Sequence, residues 1–295
     1  MTTLTGQKAS FPFVVGCSRS GTTLLRAMLD AHPALAVPPE SHFALAPNVR
    51  ALRRALRRDP WFALWGIAAP DLRGLGCADA VRAVFAAYAA ARGKPRYADK
   101  TPHYVSHLPE LAARFPEAQF VHVVRDGRDV ALSLLEVPWG PDTLEDTARH
   151  WRRRVLEGRD AGLPPDRYRE LRYEALVADP ERELRALAPW LGLDYTGAML
   201  AYSDRPLTVP HAEHHRRLAL APTPGLRDWR TQMDPVDAAR FAAVAGDALD
   251  LLGYPRFDVD VDVQARMSAS GLIPRAAARC RARSRARSAP TGPCP

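Results

Sequence analysis

The chain has 295 residues, 47% of them hydrophobic and 25% charged, which is enough for one large α/β domain with a sizeable core. Its formal net charge is +8, but six arginines lie between residues 275 and 287, and the rest of the chain is near +2. Overall basicity is therefore a weak argument for nucleic-acid binding, and we predict no nucleic-acid partner.

The four cysteines have no metal-ligand spacing, so we predict reduced thiols and no metal site. No apolar run approaches the ~20 residues of a membrane span, and we predict no transmembrane segment. Residues 1–10 lack the charged-then-apolar plan of a signal peptide. Together these features predict a cytoplasmic protein.

The first predicted element is an apolar strand, Phe11–Val15, followed by a turn bounded by Gly16 and Gly21. Apolar residues at helical spacing then run from 24 to 29. This order places backbone N–H groups at a helix N-terminus, which favours anions. The glycine spacing is that of a P-loop, but Thr22 stands where that motif has lysine. The loop is therefore predicted to bind phosphate without the lysine that holds a γ-phosphate.

Further strands are each followed by a helix, which is typical of a parallel sheet covered by helices. We predict an α/β, P-loop-like, three-layer fold with a central parallel sheet flanked by helices. The strands are predicted at 96–100, 119–124 and 168–173, and the helices at 107–115, 130–136, 143–158, 174–191 with a break near 179–180, and 234–252.

Three cations follow predicted strand ends: Arg19, Lys100 and Arg125. In a parallel sheet the carboxyl ends of the strands share one edge, where ligands bind. We therefore expect these cations at that edge. Arg125 and Arg128 could alternatively belong to a solvated charge cluster at a helix start.

The predicted domain plan is a flexible lead at 1–10, a single domain at 11–257 and a tail at 258–295. The segment 207–226 is rich in His and Pro and is predicted to be irregular. The tail consists largely of Arg, Ala, Ser and Pro and has almost nothing to bury, so we expect it to be disordered. Binding of nucleic acid or an anionic membrane by this tail is a less common meaning of such a composition.

Five segments occur in order along the chain: GCSRSGTTLL, DKTPHY, FVHVVRDGRDVALSLLE, RYEALVADP and GLRDWR. In this combination the chain resembles the sulfotransferases that use 3′-phosphoadenosine 5′-phosphosulfate (PAPS), over roughly residues 11–253. Its pattern is most similar to the branch of tyrosylprotein sulfotransferases and many bacterial sulfotransferases, which has Arg in the first loop. The resemblance implies a PAPS-dependent enzyme that needs no metal and releases adenosine 3′,5′-bisphosphate (PAP).

The resemblance also implies which residues contact PAPS. In that family the first loop wraps the 5′-phosphosulfate, and a donor without β- or γ-phosphate does not need the P-loop lysine. Arg125, and Ser133 eight positions later, match the residues that bind the 3′-phosphate, and Tyr173 would lie near the adenosine. The first-loop matches are Arg19, Ser20, Gly21, Thr22 and Thr23. The matches to a late loop that closes over the donor are Gly225, Arg227, Trp229 and Arg230.

Glu40 follows two prolines and lies 21 positions after Arg19, the spacing of the glutamate in the same branch. The resemblance implies that Glu40 is the general base and that Arg19 and Lys100 stabilise the transferring group and the leaving phosphate. His103 is the rival base, because other sulfotransferase branches use a histidine. Asp99 is a weaker rival, whose alternative role is to pair with Lys100 or another local cation.

A P-loop small-molecule kinase that uses ATP is the alternative function, but a kinase would need Lys at position 22 and a second acidic Mg²⁺ ligand. The acceptor implied by the resemblance carries a hydroxyl group. The predicted cytoplasmic location favours a small molecule, carbohydrate or glycolipid over a secreted protein.

Overall fold

The structure is a computed structural model that describes residues 10–204 and 227–255. The chain divides into two compact units. The first takes its described residues from Met1–Val124 and Glu157–Pro224, and the second from Arg125–Leu156 and Gly225–Pro295. The single domain predicted at 11–257 stays a prediction. The lead before Ser10, the irregular segment 207–226 and the tail at 258–295 lie outside the described residues.

All the strands that the structure describes belong to the first unit. They are β1 (Phe11–Gly16), β2 (Leu35–Ala36), β3 (Arg96–Tyr97), β4 (Asp99–Lys100), β5 (Ala118–Val124) and β6 (Tyr168–Arg172). Four of them form a parallel sheet in the order β4-β1-β5-β6, and β2 pairs with β3 in a separate parallel sheet. The predicted α/β fold with a central parallel sheet is confirmed.

The prediction of one strand at 96–100 was wrong, because this segment changes partners at Ala98. Tyr97 pairs with Ala36 of β2, whereas Asp99 pairs with Phe13 of β1. The backbone N–H of Ala98 still donates to the carbonyl of Ala36, 2.9 Å away. The chain therefore passes from one sheet to the other and ends with Lys100 at the carboxyl end of β4.

In the described part of the first unit, helices lie between these strands and after the last of them. They are α1 (Thr22–Asp30), α2 (Val49–Arg58), α3 (Pro60–Ala63), α4 (Cys77–Ala90), α5 (Leu108–Arg114), α8 (Tyr173–Ala178) and α9 (Pro180–Trp190). The break predicted near residues 179–180 separates α8 from α9, where the carboxylate of Asp179 caps α9 and Pro180 takes its first position. Short 3₁₀ helices cover Phe43–Leu45, Pro102–His107, Gly197–Met199 and Ala201–Asp204.

The sheet of the first unit separates two apolar cores, because successive side chains of a strand point to opposite faces. Phe11, Phe13 and Val15 of β1 pack into a core that also includes residues of α2, α4 and α5. Val14 packs on the other side, with residues of α1, α8 and α9. Helices thus cover both faces of the sheet, which is the predicted three-layer arrangement.

The helices of the second unit are α6 (Gly127–Leu134), α10 (Trp229–Gln232), α11 (Pro235–Leu251) and most of α7 (Leu144–Arg159). The start of α6 packs closely against α7 and α11. A Cβ atom added at Gly127 would lie 2.4 Å from the ring of Trp151 and 2.6 Å from that of Phe241. The indole N–H of Trp151 donates to the carbonyl of Arg125, 3.1 Å away. These contacts fix the backbone from which the Arg125 side chain extends.

Across the described ranges, no helix combines the length and the apolar character needed to cross a membrane.

Candidate active site

The loop between β1 and α1 is a tight turn with an unusual backbone. Gly16 and Gly21 have φ of 149° and 97°, and Arg19, with φ of 73°, is the one non-glycine residue at positive φ in the described part of the chain. A Cβ atom at Gly16 would lie 2.5 Å from the carbonyl oxygen of Val123, so β5 leaves no room for a side chain there. This backbone turns the chain directly from the end of β1 into α1.

The start of α1 has the properties of an anion site. Its N-cap residue, Gly21, has no side chain to accept hydrogen bonds from the first N–H groups of the helix. The neighbouring Ser20 is only 1% exposed, and its hydroxyl has no hydrogen-bond partner among the described residues. A buried polar group without a partner costs about 1–3 kcal/mol. An anion bound here would satisfy both the hydroxyl and the helix N-terminus.

Tyr173, the first residue of α8, lies against the same loop. A Cβ atom at Gly21 would be 2.2 Å from the tyrosine ring, so the absence of a side chain at Gly21 permits this contact. The structure therefore brings together two residues that the sequence placed in separate segments.

The catalytic candidates Glu40 and Lys100 form an ion pair. The ammonium group of Lys100 is also 3.4 Å from the hydroxyl of Thr23, in the first turn of α1. Lys100 is 4% exposed, and burial lowers the pKa of its ammonium group, an effect that the carboxylate of Glu40 opposes. A predicted base, a predicted cation and a residue of the first loop thus lie together in the first unit.

The segment that leads to Glu40 is held by α1. The Nε of Arg26 donates to the carbonyls of Val37 and Pro38, 2.9 and 3.0 Å away. The carboxylate of Asp30 accepts from the N–H of Val37 at 2.8 Å. The sequence interpretation missed this role of Arg26, although a lone arginine among buried apolar residues of a helix is a usable signal.

Asp99 takes part in a buried hydrogen-bond network beside Glu40. Its carboxylate accepts from the hydroxyls of Ser41, at 3.2 Å, and Thr101, at 2.6 Å. Burial raises the pKa of Asp99 to about 7, and the two hydroxyls oppose that rise. The ion pair of Lys100 is with Glu40, so Asp99 holds the Glu40 segment to the end of β4 by hydrogen bonds.

His103, the rival base, lies in the 3₁₀ helix after Lys100. Its Nε2 is 3.2 Å from Nδ1 of His42, and the ring centroids are 4.6 Å apart. His42 is exposed and His103 is half-buried. The structure therefore pairs Lys100 with Glu40 and His103 with His42.

In the second unit, Arg125 follows β5 and is 7% exposed. Its Nη2 is 3.7 Å from Oδ2 of Asp129 in α6. Ser133 is buried near the end of the same helix. Arg128 is completely buried and donates to both carboxylate oxygens of Asp126, at 3.0 and 2.7 Å. The alternative reading of this segment as a solvated charge cluster was wrong.

The late-loop residues pack on α6 and the residues after it. The guanidinium of Arg128 lies 3.6 Å from the ring centroid of Trp229, and the N–H of Trp229 donates to Oδ1 of Asp129 at 2.8 Å.

Of the other late-loop residues, Arg227 pairs with Glu136. Arg230 is exposed and lies 4.8 Å from the Trp229 ring. Gly225 lies outside the described residues.

Among residues 10–204 and 227–255, no group of three or more His, Cys, Asp or Glu side chains is arranged to hold a metal ion. Neither Cys17 nor Cys77 is part of a disulfide bond.

The model of the sulfotransferase family matches residues 13–197 of the chain. The chain belongs to the sulfotransferase family. Protein-tyrosine sulfotransferase 1 of Danio rerio is 28% identical to this sulfotransferase over 286 residues, which cover 85% of this chain and 76% of the relative. The resemblance deduced from the five sequence segments is thus confirmed, and the chain is an enzyme of this family.

Solved sulfotransferase structures have the same fold. The sulfotransferase domain of the olefin synthase from Synechococcus PCC 7002 aligns with a TM-score of 0.57 and 26% identity, over 81% of this chain and 96% of that domain. Mouse sulfotransferase SULT7A1, solved in complex with PAP, aligns with a TM-score of 0.50 and 13% identity, over 89% of this chain and 88% of that protein. The mouse structure, at this identity, supports the fold alone.

Proposed function

We propose that this enzyme transfers the sulfuryl group of PAPS to a hydroxyl group of its acceptor by in-line displacement. The observation that carries the proposal is the ion pair between Glu40 and Lys100, close to Thr23 at the start of α1. In-line sulfuryl transfer needs a base for the acceptor proton and cations for the transferring group, and this cluster supplies one of each.

The first loop is proposed to bind the 5′-phosphosulfate of the donor. The uncapped start of α1 and the buried hydroxyl of Ser20 fit an anion, and Thr22 and Thr23 extend the same turn. Arg19 contributes the positive charge in the loop. The mouse sulfotransferase of the same fold was solved with PAP, which is the product that PAPS would leave.

Arg125 and Ser133 are proposed to bind the 3′-phosphate. The planar guanidinium of arginine suits a bidentate contact with a phosphate dianion. Arg125 lies at the end of β5 and Ser133 is buried in α6, so both start from fixed backbone. Tyr173 is proposed to line the adenosine subsite, and Arg227, Trp229 and Arg230 to cover the donor.

In the proposed mechanism, Glu40 accepts the proton of the acceptor hydroxyl as its oxygen attacks sulfur. A new S–O bond forms to the acceptor, and the bond between sulfur and the 5′-phosphate oxygen breaks. The bonding electrons leave with PAP. Lys100 and Arg19 stabilise the negative charge that develops on the sulfuryl oxygens and the departing phosphate.

The alternative, a small-molecule kinase, is not favoured by the family to which the chain belongs. Thr22 occupies the position of the lysine that would contact a γ-phosphate.

For the acceptor we propose a small molecule, carbohydrate or glycolipid, with the protein located in the cytoplasm as the sequence predicts. The relative from Danio rerio is named for transfer to protein tyrosine, so phenolic hydroxyls belong in the acceptor screen.

The test uses PAPS labelled with ³⁵S and mixtures of phenols, alkyl alcohols and sugars. We expect label to move to a hydroxyl acceptor with wild-type enzyme. Glu40→Gln should reduce the rate roughly 10²–10⁴-fold, because the variant lacks the base, and should keep its affinity for PAP. Transfer of phosphate from ATP to the same acceptors, with none from PAPS, would overturn the proposal. A nearly normal rate for Glu40→Gln, with a large loss for His103→Gln, would move the role of base to His103.

A further inference from the structure

We propose that Asp129 is a positioning residue that couples the 3′-phosphate site at Arg125 to the segment of residues 227–230. This inference rests on the proposed function, because it assumes that Arg125 contacts the 3′-phosphate. Through Asp129, a donor bound at Arg125 would stabilise the segment that covers it.

The two carboxylate oxygens of Asp129 face different partners. Oδ1 accepts the backbone N–H of Trp229 at 2.8 Å, and Oδ2 is 3.7 Å from Nη2 of Arg125. Asp129 and Arg125 are 8% and 7% exposed. Water therefore competes little with either contact, and the interaction between the charges is stronger than it would be at the surface. One rigid carboxylate thus links a predicted phosphate ligand to the predicted covering segment.

The backbone of Asp129 is itself well fixed. The residue lies in the first turn of α6, whose N-terminus is capped by Asp126. Gly127 packs against the rings of Trp151 and Phe241. A small change in the side chain of Asp129 therefore changes the orientation of Arg125 or Trp229, since the helix itself cannot adjust.

Two other contacts attach the segment to the same region, and neither of them is made by Arg125. The ring of Trp229 stacks on Arg128, which is held by Asp126. Arg227 pairs with Glu136. Because these contacts do not include Arg125, they do not couple the segment to binding of the 3′-phosphate. Asp129 is the residue in this group that contacts both Arg125 and Trp229.

A purely electrostatic view predicts the opposite effect. A carboxylate beside Arg125 repels a phosphate dianion, so its removal should strengthen phosphate binding if Asp129 did nothing else. The positioning role predicts weaker binding, because Arg125 and Trp229 lose their common support. The sign of the change in affinity therefore separates the two views.

The experiment measures the affinities of the full-length enzyme for PAP and for adenosine 5′-monophosphate, which lacks the 3′-phosphate, by calorimetry. Asp129→Asn keeps an oxygen for the N–H of Trp229 and loses the charge that faces Arg125; Asp129→Ala loses both contacts. We expect PAP affinity to fall about tenfold in the asparagine variant and further in the alanine variant. Affinity for adenosine 5′-monophosphate should change less than threefold in Asp129→Asn.

Asp247→Asn is the matched control, because Asp247 forms an exposed ion pair with Arg152 in the same unit. Its affinity for both nucleotides should equal that of the wild type. A double-mutant cycle of Asp129→Asn with Arg125→Ala should be clearly non-additive, since the two side chains act through one contact. Thermal unfolding of each variant establishes that it is folded before affinities are compared.

Hydrogen exchange provides a second readout. PAP should protect the backbone amides of residues 227–232 in the wild type and in Asp247→Asn, and protect them much less in Asp129→Ala. If wild-type enzyme fails to bind PAP, the proposed function itself is wrong. If the wild type binds PAP but Asp129→Asn binds it equally or more tightly, the coupling role is overturned. Equal protection of residues 227–232 by PAP in Asp129→Ala and the wild type would overturn it as well.

Discussion

Burial shifts the pKa values of two consecutive residues at the end of β4. It raises the pKa of Asp99 to about 7 and lowers the pKa of Lys100. Consecutive strand residues point to opposite faces, so these two side chains meet different partners. Asp99 accepts hydrogen bonds from the hydroxyls of Ser41 and Thr101, and Lys100 forms an ion pair with the carboxylate of Glu40. Both sides of the strand therefore hold the Glu40 segment.

At the same scale, the buried imidazole of His122 in β5 makes the stability of the fold depend on pH. Burial lowers the pKa of this imidazole from 6.5 to about 3. Its Nδ1 is 2.7 Å from the hydroxyl of Tyr168, and a Cβ atom at Gly158 would lie 2.6 Å from the ring. Between pH 6.5 and 3 the unfolded chain binds a proton that the folded chain excludes. The group therefore stabilises the fold fully above pH 6.5 and progressively less as the pH falls towards 3.

We expect His122→Gln to remove this dependence. The difference in unfolding free energy between wild type and variant should shrink by about 1.4 kcal/mol per pH unit below pH 6.5. Because the folded pKa of Asp99 is raised, its contribution to stability falls as the pH rises from 3.8 to 7. Asp99 is present in both proteins, so this contribution cancels in the difference. Urea unfolding at pH 7.5 and pH 5 measures the effect. A difference that stays constant with pH would mean that His122 is not buried in its neutral form.

At the scale of elements, helix α1 connects the loop proposed to bind the donor to the proposed base. Its first turn carries Thr23, beside Lys100, and its later residues Arg26 and Asp30 hold the backbone before Glu40. Arg26 is 3% exposed and bonds two successive carbonyl groups, so it fixes the direction in which the chain reaches Glu40.

We expect Arg26→Met to lower kcat roughly 10–100-fold, because a base displaced by about 1 Å loses much of its effect. The Kd for PAP should change less than threefold, since the loop before α1 keeps its own turn. Arg167→Met is the control: Arg167 bonds the carbonyls of Phe115 and Ala118, at the start of β5. This control should lose stability and keep kcat. Equal losses of kcat in both variants would show a general effect on folding in place of positioning.

Local patterns in the sequence were sufficient for most elements of the fold. The apolar run from Phe11 and the glycines of the loop predicted β1 and α1, and the Asp-Pro pair at 179–180 predicted the break between two helices. The strand at 96–100 was mispredicted because its change of partner at Ala98 depends on two other strands that local sequence does not reveal.

The sequence also revealed the roles of some single residues and not of others. Lys100 and Arg125 could be named because they occur in segments that resemble a family, and Glu40 because its distance from Arg19 matches the same branch. The structure joins Glu40 to Lys100. Arg26 and Asp129 act through contacts with residues about 10 and 100 positions away, and no spacing rule predicts such contacts. Buried positioning residues of this kind require the tertiary structure.

At the scale of the whole molecule, one nucleotide donor is proposed to contact residues from several segments of the chain. The first unit contains the loop proposed to bind the 5′-phosphosulfate and the pair of Glu40 and Lys100, and the second unit contains Arg125 and Ser133. The net charge of +8 is largely due to the arginines between residues 275 and 287, which lie outside the described residues. We therefore propose that the enzyme recognises a 3′,5′-bisphosphorylated adenosine specifically. General electrostatic attraction of polyanions would not produce this specificity.

This specificity can be measured by calorimetric titration of the purified full-length enzyme with PAP, and separately with ATP and Mg²⁺. We expect tight binding of PAP that does not depend on added metal, and little binding of ATP. Arg125→Ala should lose a few kcal/mol of PAP affinity, because it removes the guanidinium that is proposed to bind the 3′-phosphate. Binding of Mg²⁺–ATP with none of PAP would show that the proposed donor is wrong, and unchanged PAP affinity in Arg125→Ala would show that Arg125 does not bind the 3′-phosphate.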